Sequence, residues 1–237
     1  MPPALSIVLP AYNEEGNIER VVRDAGAAAA ELAPPYEIVV VDDGSRDRTG
    51  EILARLAAEM DGTLRVVRHP VNEGYGAALR DGFRATTGDL VFYTDSDNQF
   101  DLRELAGILP LMKEVDAVLG YRVGRQDPWV RKAVSGGFNK LSSAALGMSV
   151  RDLNCSFKLF RGDMIRALPI DSTDFFVDTE IVARLHRAGC RYVQHGGRHY
   201  PRTAGRSTVR ASDVPRTLVS LARMWHRLRS QRPAGRG

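Results

Sequence analysis

Residues 91–101, VFYTDSDNQFD, set an apolar run against three aspartates, Asp95, Asp97 and Asp101, with Ser96, Asn98 and Gln99 among them. Carboxylates taken out of water need a positive partner. Asp95 and Asp97 flank a single residue, so a turn can make them bracket one ion. Hard oxygen ligands of this kind suit Mg2+ or Mn2+, which completes its shell with water and substrate phosphates. The bland alternative is a set of turn aspartates capping a helix that begins near Leu102. Two more polar clusters have the same character. Pro10-Ala11-Tyr12-Asn13-Glu14-Glu15 follows one apolar run, and Asp42-Asp43-Gly44-Ser45 follows another. A carboxylate at Asp42 or Asp43 can accept hydrogen bonds from a nucleobase or ribose. An Asp-Asp-Gly turn, with Ser45 or Asp47 capping the next helix, is an equally sound use of the same residues.

The elements that must position these groups are short, nearly continuous apolar runs at residues 6–9, 37–41, 64–67, 90–93 and 117–119. Such runs are expected of strands covered on both faces. Helical spacing fills residues 16–32, 47–60 and 74–87 between them, which predicts an α/β chain built on a single, mostly parallel sheet flanked by helices. Ligands of open α/β sheets bind beyond the carboxyl ends of the strands. The three polar clusters lie at three such ends and are expected to converge on one crevice. Gly74-Tyr75-Gly76 is either a plain helix start or a place where backbone approaches a ligand closely.

The 237 residues carry a net charge of +4, unevenly spread. From Arg198 onward ten arginines face one acid, Asp213, whereas residues 1–197 hold 23 basic and 28 acidic side chains. A basic tail on an acidic body calls for an anionic partner, or is a solvated helix face. From Ser212, Val214, Leu218, Leu221, Trp225 and Leu228 recur at helical spacing, while Arg216, Arg223, Arg227 and Arg229 lie mostly elsewhere on the wheel. This predicts an amphipathic helix in residues 211–237, following a catalytic domain in 1–210. Such a helix either lies in a membrane interface or packs on protein. Nothing resembling a nucleic-acid recognition motif accompanies the charge. The two cysteines, Cys155 and Cys190, lack metal-ligand spacing, and the opening residues lack a signal-peptide pattern. Both point to a cytoplasmic, reduced protein.

Taken together, SIVLPAYNEEGNI, IVVVDDGSRDRT, GYGAALRDGF, GDLVFYTDSDNQFD, GYR, DLNCSFKLFRGDMI and FFVDTEIVARLHRAG resemble glycosyltransferase family 2. Within it they are similar to the polyprenyl-phosphate glycosyltransferases of the dolichol-phosphate mannose synthase type. The resemblance runs from about residue 4 to residue 210. It implies a GT-A fold, a nucleotide sugar donor, GDP- or UDP-linked, and inverting transfer of a hexose such as mannose or glucose to a polyprenyl or dolichyl phosphate. By position, Pro10, Tyr12 and Glu14 would line the nucleotide pocket, with Asp43 at the base or ribose. Asp95, Ser96 and Asp97 would form the DxD segment, with Gln99 completing the metal ligands. Arg202 would contact the donor phosphates. Gly205-Arg206-Ser207 matches a family Gly-x-Ser-Lys pattern imperfectly, with Thr208 where Lys is common.

The same resemblance makes Arg122, Arg131 and Ser135 an acceptor-phosphate site. Arg131, Ser135 and Asn139 recur every four residues and so share one helical face. An ordinary amphipathic helix packed on the sheet would show the same spacing. A phosphate monoester is already anionic near neutral pH and needs positioning rather than a base. A hydroxyl acceptor would need one, and Asp178 or Glu180 could supply it, could bind sugar hydroxyls, or could cap the helix that follows. Asp152 is a further candidate beside the acceptor. The rivals are a transferase of the same fold with a soluble hydroxyl acceptor, a nucleotidyltransferase, and a membrane-associated binding module. Peripheral attachment to the inner membrane face follows from the lipid acceptor; oligomeric state is left open.

Overall fold

A computed structural model of the chain describes residues 4–124, 129–201 and 213–230, without the side chains of 129–134, 213–216 and 227–230. Seven strands form one sheet: β1 (Leu5–Ala11), β2 (Tyr36–Asp42), β3 (Leu64–Arg68), β4 (Leu90–Tyr93), β5 (Ala117–Val123), β6 (Lys158–Arg161) and β7 (Tyr192–Arg198). Their spatial order is β3-β2-β1-β4-β6-β5-β7. Pairing is parallel except along β6, which runs antiparallel to both β4 and β5. The sheet is therefore mostly parallel, as the apolar runs predict, and all five of those runs are strands.

Both faces are covered, and the period-2 alternation of a strand decides which side chain meets which layer. Ile7, Leu9, Ile38, Val40 and Phe92 point into one core with α1 (Ile18–Leu32) and α2 (Thr49–Glu59). Val8, Val39, Val91 and Tyr93 point into the other with α3 (Tyr75–Ala85) and the later α7 (Val177–Arg187). In α1 the buried residues Ile18, Val21, Val22, Ala25 and Ala29 follow helical spacing and give the helix its inner face. On α3 a Cβ at Gly82 would lie 2.6 Å from Val8 Cγ1, so this glycine lets the helix lie directly on the sheet.

Two short helices, α4 (Leu105–Ile108) after β4 and α6 (Gly162–Ala167) after β6, flank the long α5 (Trp129–Leu146) that follows β5. The C-terminal α8 (Asp213–Ser230) packs against α5. It buries Leu221 and Met224 in the second core, whereas Leu218, Val219 and Trp225 remain exposed. The helix expected in the tail is present; its cap at Ser212 lies outside the described residues.

Candidate active site

The carboxyl ends of β2, β1 and β4 lie side by side, and their loops are stitched together. Asn13 N donates to Ser45 Oγ (3.0 Å), Arg46 N to Asn13 Oδ1 (2.8 Å), and Glu14 N to Thr49 Oγ1 (2.9 Å). Glu15 N donates to Asp47 Oδ2 at 3.1 Å. Ser96 Oγ donates to Pro10 O at 2.8 Å, which ties the β4 turn to β1. Pro10, Glu14, Asp42, Asp43, Ser96 and Asp97 thus belong to one connected rim. Tyr12 sits within it, half-buried.

Asp95 and Asp97 end β4 together. Asp95 accepts from Tyr75 Oη (2.8 Å) and Ser156 Oγ (2.6 Å). Asp97 is buried and accepts from Gln99 N at 3.1 Å. Burial pushes Asp95 up to about 7, and the neighbouring Asp97 adds to the shift against the two hydroxyl hydrogen bonds. Two acids are thus held together where only one ionises comfortably, and a divalent cation reverses that penalty. The donor set is hard oxygen, which fits Mg2+ or Mn2+. Gln99 donates its amide N–H to Tyr200 O (3.0 Å), keeping its amide oxygen as an acceptor. The capping alternative is also present: Asp101 accepts from Arg103 N at the turn that starts at Leu102.

The adjacent acids on β2 divide their work. Asp43 is buried and accepts from Glu73 N (2.8 Å), Gly74 N (2.9 Å) and His69 Nδ1 (2.7 Å). Asp42 accepts from Ser45 N through Oδ1, while its buried Oδ2 has no hydrogen-bond partner and lies 3.5 Å from Arg68 Nε. Both side chains are buried, so a ligand at this strand end meets the turn that they hold rather than a free carboxylate. The glycines at 74 and 76 correct one expectation: a Cβ at Gly76 would lie 2.1 Å from Ser172 O, and one at Gly74 2.3 Å from Thr173 O. They admit the backbone of residues 172–173, rather than a ligand, against the start of α3.

On the other side of β4, Arg122 forms a two-pronged pair with Asp152, Nε to Oδ2 at 2.7 Å and Nη2 to Oδ1 at 2.8 Å. An acceptor phosphate there would meet a guanidinium whose charge is already matched by Asp152. Asn139 donates to Val150 O (2.8 Å) and Arg151 O (2.9 Å) and accepts from Leu153 N (2.8 Å). That clasp brings the α5 face bearing Asn139 and the half-buried Ser135 to the Asp152 segment. Arg131 shares the face by position, but its side chain lies outside the described residues. So do Arg202 and the Gly205-Arg206-Ser207-Thr208 segment.

Asp178 and Glu180 lie in the first turn of α7, and neither reaches the surface. Asp178 Oδ1 pairs with Lys158 Nζ at 2.6 Å and accepts from Tyr93 Oη. Glu180 accepts from Ser172 N (2.8 Å), Asp171 N (3.2 Å) and Arg184 Nε (2.8 Å). A fully buried carboxylate with these partners cannot take a proton from a substrate, so the base role raised for Glu180 gives way to a structural one. Tyr75, Ser156 and Lys158 escape a reading of motifs because they act through partners distant in sequence. The one available signal is Lys158 itself, a charge inside the apolar stretch CSFKLF, which implies a buried acid.

A protein 35% identical over 167 residues is the undecaprenyl-phosphate 4-deoxy-4-formamido-L-arabinose transferase of Serratia proteamaculans; the match covers 69% of this chain and 51% of that protein. The glycosyltransferase AglD of Haloferax volcanii is 36% identical over 200 residues, 80% of this chain and 32% of that protein. The chain spans about half the length, or less, of these curated relatives. Glucosyl-3-phosphoglycerate synthase from Mycobacterium tuberculosis, solved with Mn2+, uridine diphosphate and phosphoglyceric acid, superposes with a TM-score of 0.70 at 25% identity. That likeness covers 92% of this chain and 78% of the synthase. The family model of glycosyl transferase family 2 matches residues 6–168, from the first strand through the Asp95–Asp97 turn to α6. With that match over most of its length, the chain belongs to glycosyl transferase family 2.

Proposed function

We propose that the chain transfers a hexose, with inversion, from a nucleotide sugar to a polyprenyl phosphate at a membrane surface. The observation that carries the donor half is the paired Asp95–Asp97 turn locked to the β1 and β2 loops. In this reading the turn at Asp42 and Asp43 faces the base or ribose, and Pro10, Tyr12 and Glu14 wall the pocket. Asp95, Asp97 and Gln99 would hold a divalent ion. When bound, the ion supplies positive charge to the departing diphosphate. Arg202 is assigned to the same diphosphate by its place in the sequence. Tyr75 and Ser156 orient Asp95, Ser96 holds the turn on β1, and the Lys158–Asp178 pair braces Tyr93 beneath it.

The acceptor half rests on the transferase of Serratia proteamaculans, whose name specifies undecaprenyl phosphate, and on the Arg122–Asp152–Asn139 cluster beside α5. Arg122, Arg131 and Ser135 would position an acceptor that is already anionic, and no general base is required. Among the described residues no helix is long and apolar enough to cross a membrane. Attachment would be peripheral, through the exposed Leu218, Val219 and Trp225 of α8 and Leu141 of α5, with the tail arginines meeting anionic lipid.

A second reading is favoured by the M. tuberculosis synthase, which was solved with phosphoglyceric acid: a small, soluble phosphorylated acceptor. The test is release of nucleoside diphosphate from a panel of GDP- and UDP-hexoses with Mn2+ or Mg2+, in the presence of a short polyprenyl phosphate, 3-phosphoglycerate, or neither. Release that requires the lipid phosphate supports the first reading. Release that requires phosphoglycerate moves the acceptor to the second. Absence of release under all three conditions overturns both.

A further inference from the structure

A second group of potential metal ligands lies away from the Asp95–Asp97 turn. One ligand atom each from His69, Glu73 and Asp81 can be chosen so that all three lie within 4.8 Å of one another. His69 follows β3, Glu73 lies in the loop that leads to α3, and Asp81 lies on α3 itself. β3 and β4 are separated by β2 and β1 in the sheet. At strand spacings of about 4.8 Å the end of β3 is roughly 14 Å across the sheet from the end of β4, and the His69 ring reaches back as far as Asp43 beyond β2.

The imidazole is the informative member. Its side chain is 7% exposed. Nδ1 lies 2.7 Å from Asp43 Oδ1, an oxygen that otherwise accepts only a main-chain N–H. The ring proton therefore belongs on Nδ1, which leaves a lone pair on Nε2. That nitrogen is buried without a hydrogen-bond partner, and the nearest acid oxygen, Asp81 Oδ2, is 3.4 Å away. A lone pair facing a carboxylate is repulsive unless a cation or a proton sits between them.

The spacing discriminates between coordination geometries. For metal–ligand distances of about 2.1 Å, the edge of a tetrahedron is about 3.4 Å and that of an octahedron about 3.0 Å. The separation of His69 Nε2 and Asp81 Oδ2 matches the tetrahedral edge. The carboxylate on the far ring nitrogen is the usual outer support of a metal-bound histidine, setting its tautomer and orientation. Glu73 is exposed and can swing in as the third ligand, leaving a fourth place for water. Arg80 opposes binding, because its Nε and Nη2 hold Asp81 Oδ1 and Oδ2 at 3.0 and 3.1 Å, and Arg84 lies 3.7 Å from Oδ1.

The geometry points to a tetrahedral, Zn2+-class metal site formed by His69 Nε2, Asp81 and Glu73, separate from the Asp95–Asp97 turn. Its metal pins the β3–α3 loop to α3 and, through Asp43, to the end of β2. The site does not depend on the proposed transferase reaction. The test uses the full-length chain carrying Asp95→Asn and Asp97→Asn, stripped with a chelator. Zn2+ is then titrated by calorimetry and Co2+ by visible absorption. The expected result is one Zn2+ per chain, an intense tetrahedral Co2+ spectrum and a raised melting temperature. Glu73→Gln and His69→Gln should each weaken binding at least roughly tenfold, and Arg80→Gln should tighten it. Glu73 is exposed, so its variant keeps the test valid if the buried His69 variant misfolds. Lack of stoichiometric uptake, or uptake indifferent to both substitutions, overturns the site. So does nitrogen NMR showing both ring nitrogens of His69 protonated in a chain that takes up no metal, which would make the occupant a proton.

Discussion

Replacing Asp95 with asparagine should make the metal-free protein more stable while removing its stabilisation by a divalent ion at that turn. Asp95 is raised from 3.8 to about 7 by burial and by Asp97. A shift of that size corresponds to about 4 kcal/mol at 1.36 kcal/mol per pH unit. Asp95 is only half-buried, so solvent screening reduces the expected cost to about 2 kcal/mol. The sign follows from linkage: a carboxyl raised in the fold contributes stability fully below pH 3.8, and that contribution is lost as pH rises through about 7. Asparagine removes the charge yet can still accept from the Tyr75 hydroxyl and donate to the Ser156 hydroxyl, which can turn to receive it. Urea denaturation of both proteins at pH 5 and pH 8, with chelator or with Mn2+, is the assay. The advantage of the variant should vanish near pH 3.8, be partly developed at pH 5 and reach nearly its full value at pH 8. A gain of about 2 kcal/mol corresponds to roughly 4–8 °C in a domain of this size. Mn2+ should stabilise the wild type more at pH 8 than at pH 5 and leave the variant much less affected. A variant that is less stable than the wild type at pH 8 in chelator, or that gains equally from Mn2+, would refute the account of Asp95.

Other substitutions test the surrounding structure. Lys158→Met strands the Asp178 carboxylate in the core and should cost about 3–5 kcal/mol in urea denaturation; adding Asp178→Leu should recover part of that loss. Glu37 is raised by burial, but hydrogen bonds from Ser6 and Thr87 prevail and hold it below its usual 4.5. Its contribution is therefore present above pH 4.5 and lost as pH falls through the lower folded value, and Glu37→Gln should remove about 1–3 kcal/mol at neutral pH. Arg122→Gln removes the guanidinium that pairs with Asp152, and should raise the KM for a phosphate acceptor by roughly tenfold or more, as for the loss of a charged contact. An unchanged acceptor KM would remove Arg122 from that site.

The parallel part of the sheet is readable because each strand is a nearly continuous apolar run ending in polar residues. Val39-Val40-Val41 before Asp42, and Val91-Phe92-Tyr93 before Thr94-Asp95, announce both the strand and the site at its end. β6 did not announce itself: it has four residues, with a lysine and an arginine at its ends. β7 contains Gln194, His195 and two glycines, and lies at the sheet edge, where apolar continuity is not required. Within the site, the aspartates stood out by their density, whereas their supports did not. Tyr75 and Ser156 meet on Asp95 from positions 81 residues apart, and such meetings are set by topology. The same limit explains Glu180, whose partners on residues 171 and 172 appear only when the preceding loop folds back over α7.

The reversed direction of β6 also bears on how such a protein can change over evolutionary time. β6 is the seam between two blocks of parallel strands, β3-β2-β1-β4 on one side and β5-β7 on the other. Residues proposed for the nucleotide and ion project from the first block, and Arg122 projects from the second. Because β4 and β5 each pair with β6 and not with one another, mutations in β5, α5 or the loop at 150–153 should alter the proposed acceptor pocket while leaving unshifted the β1–β2 and β1–β4 register that aligns Asp42 with Asp95. A lineage can therefore exchange one substrate while inheriting the other unchanged, and the seam marks where chimaeras between relatives should be joined.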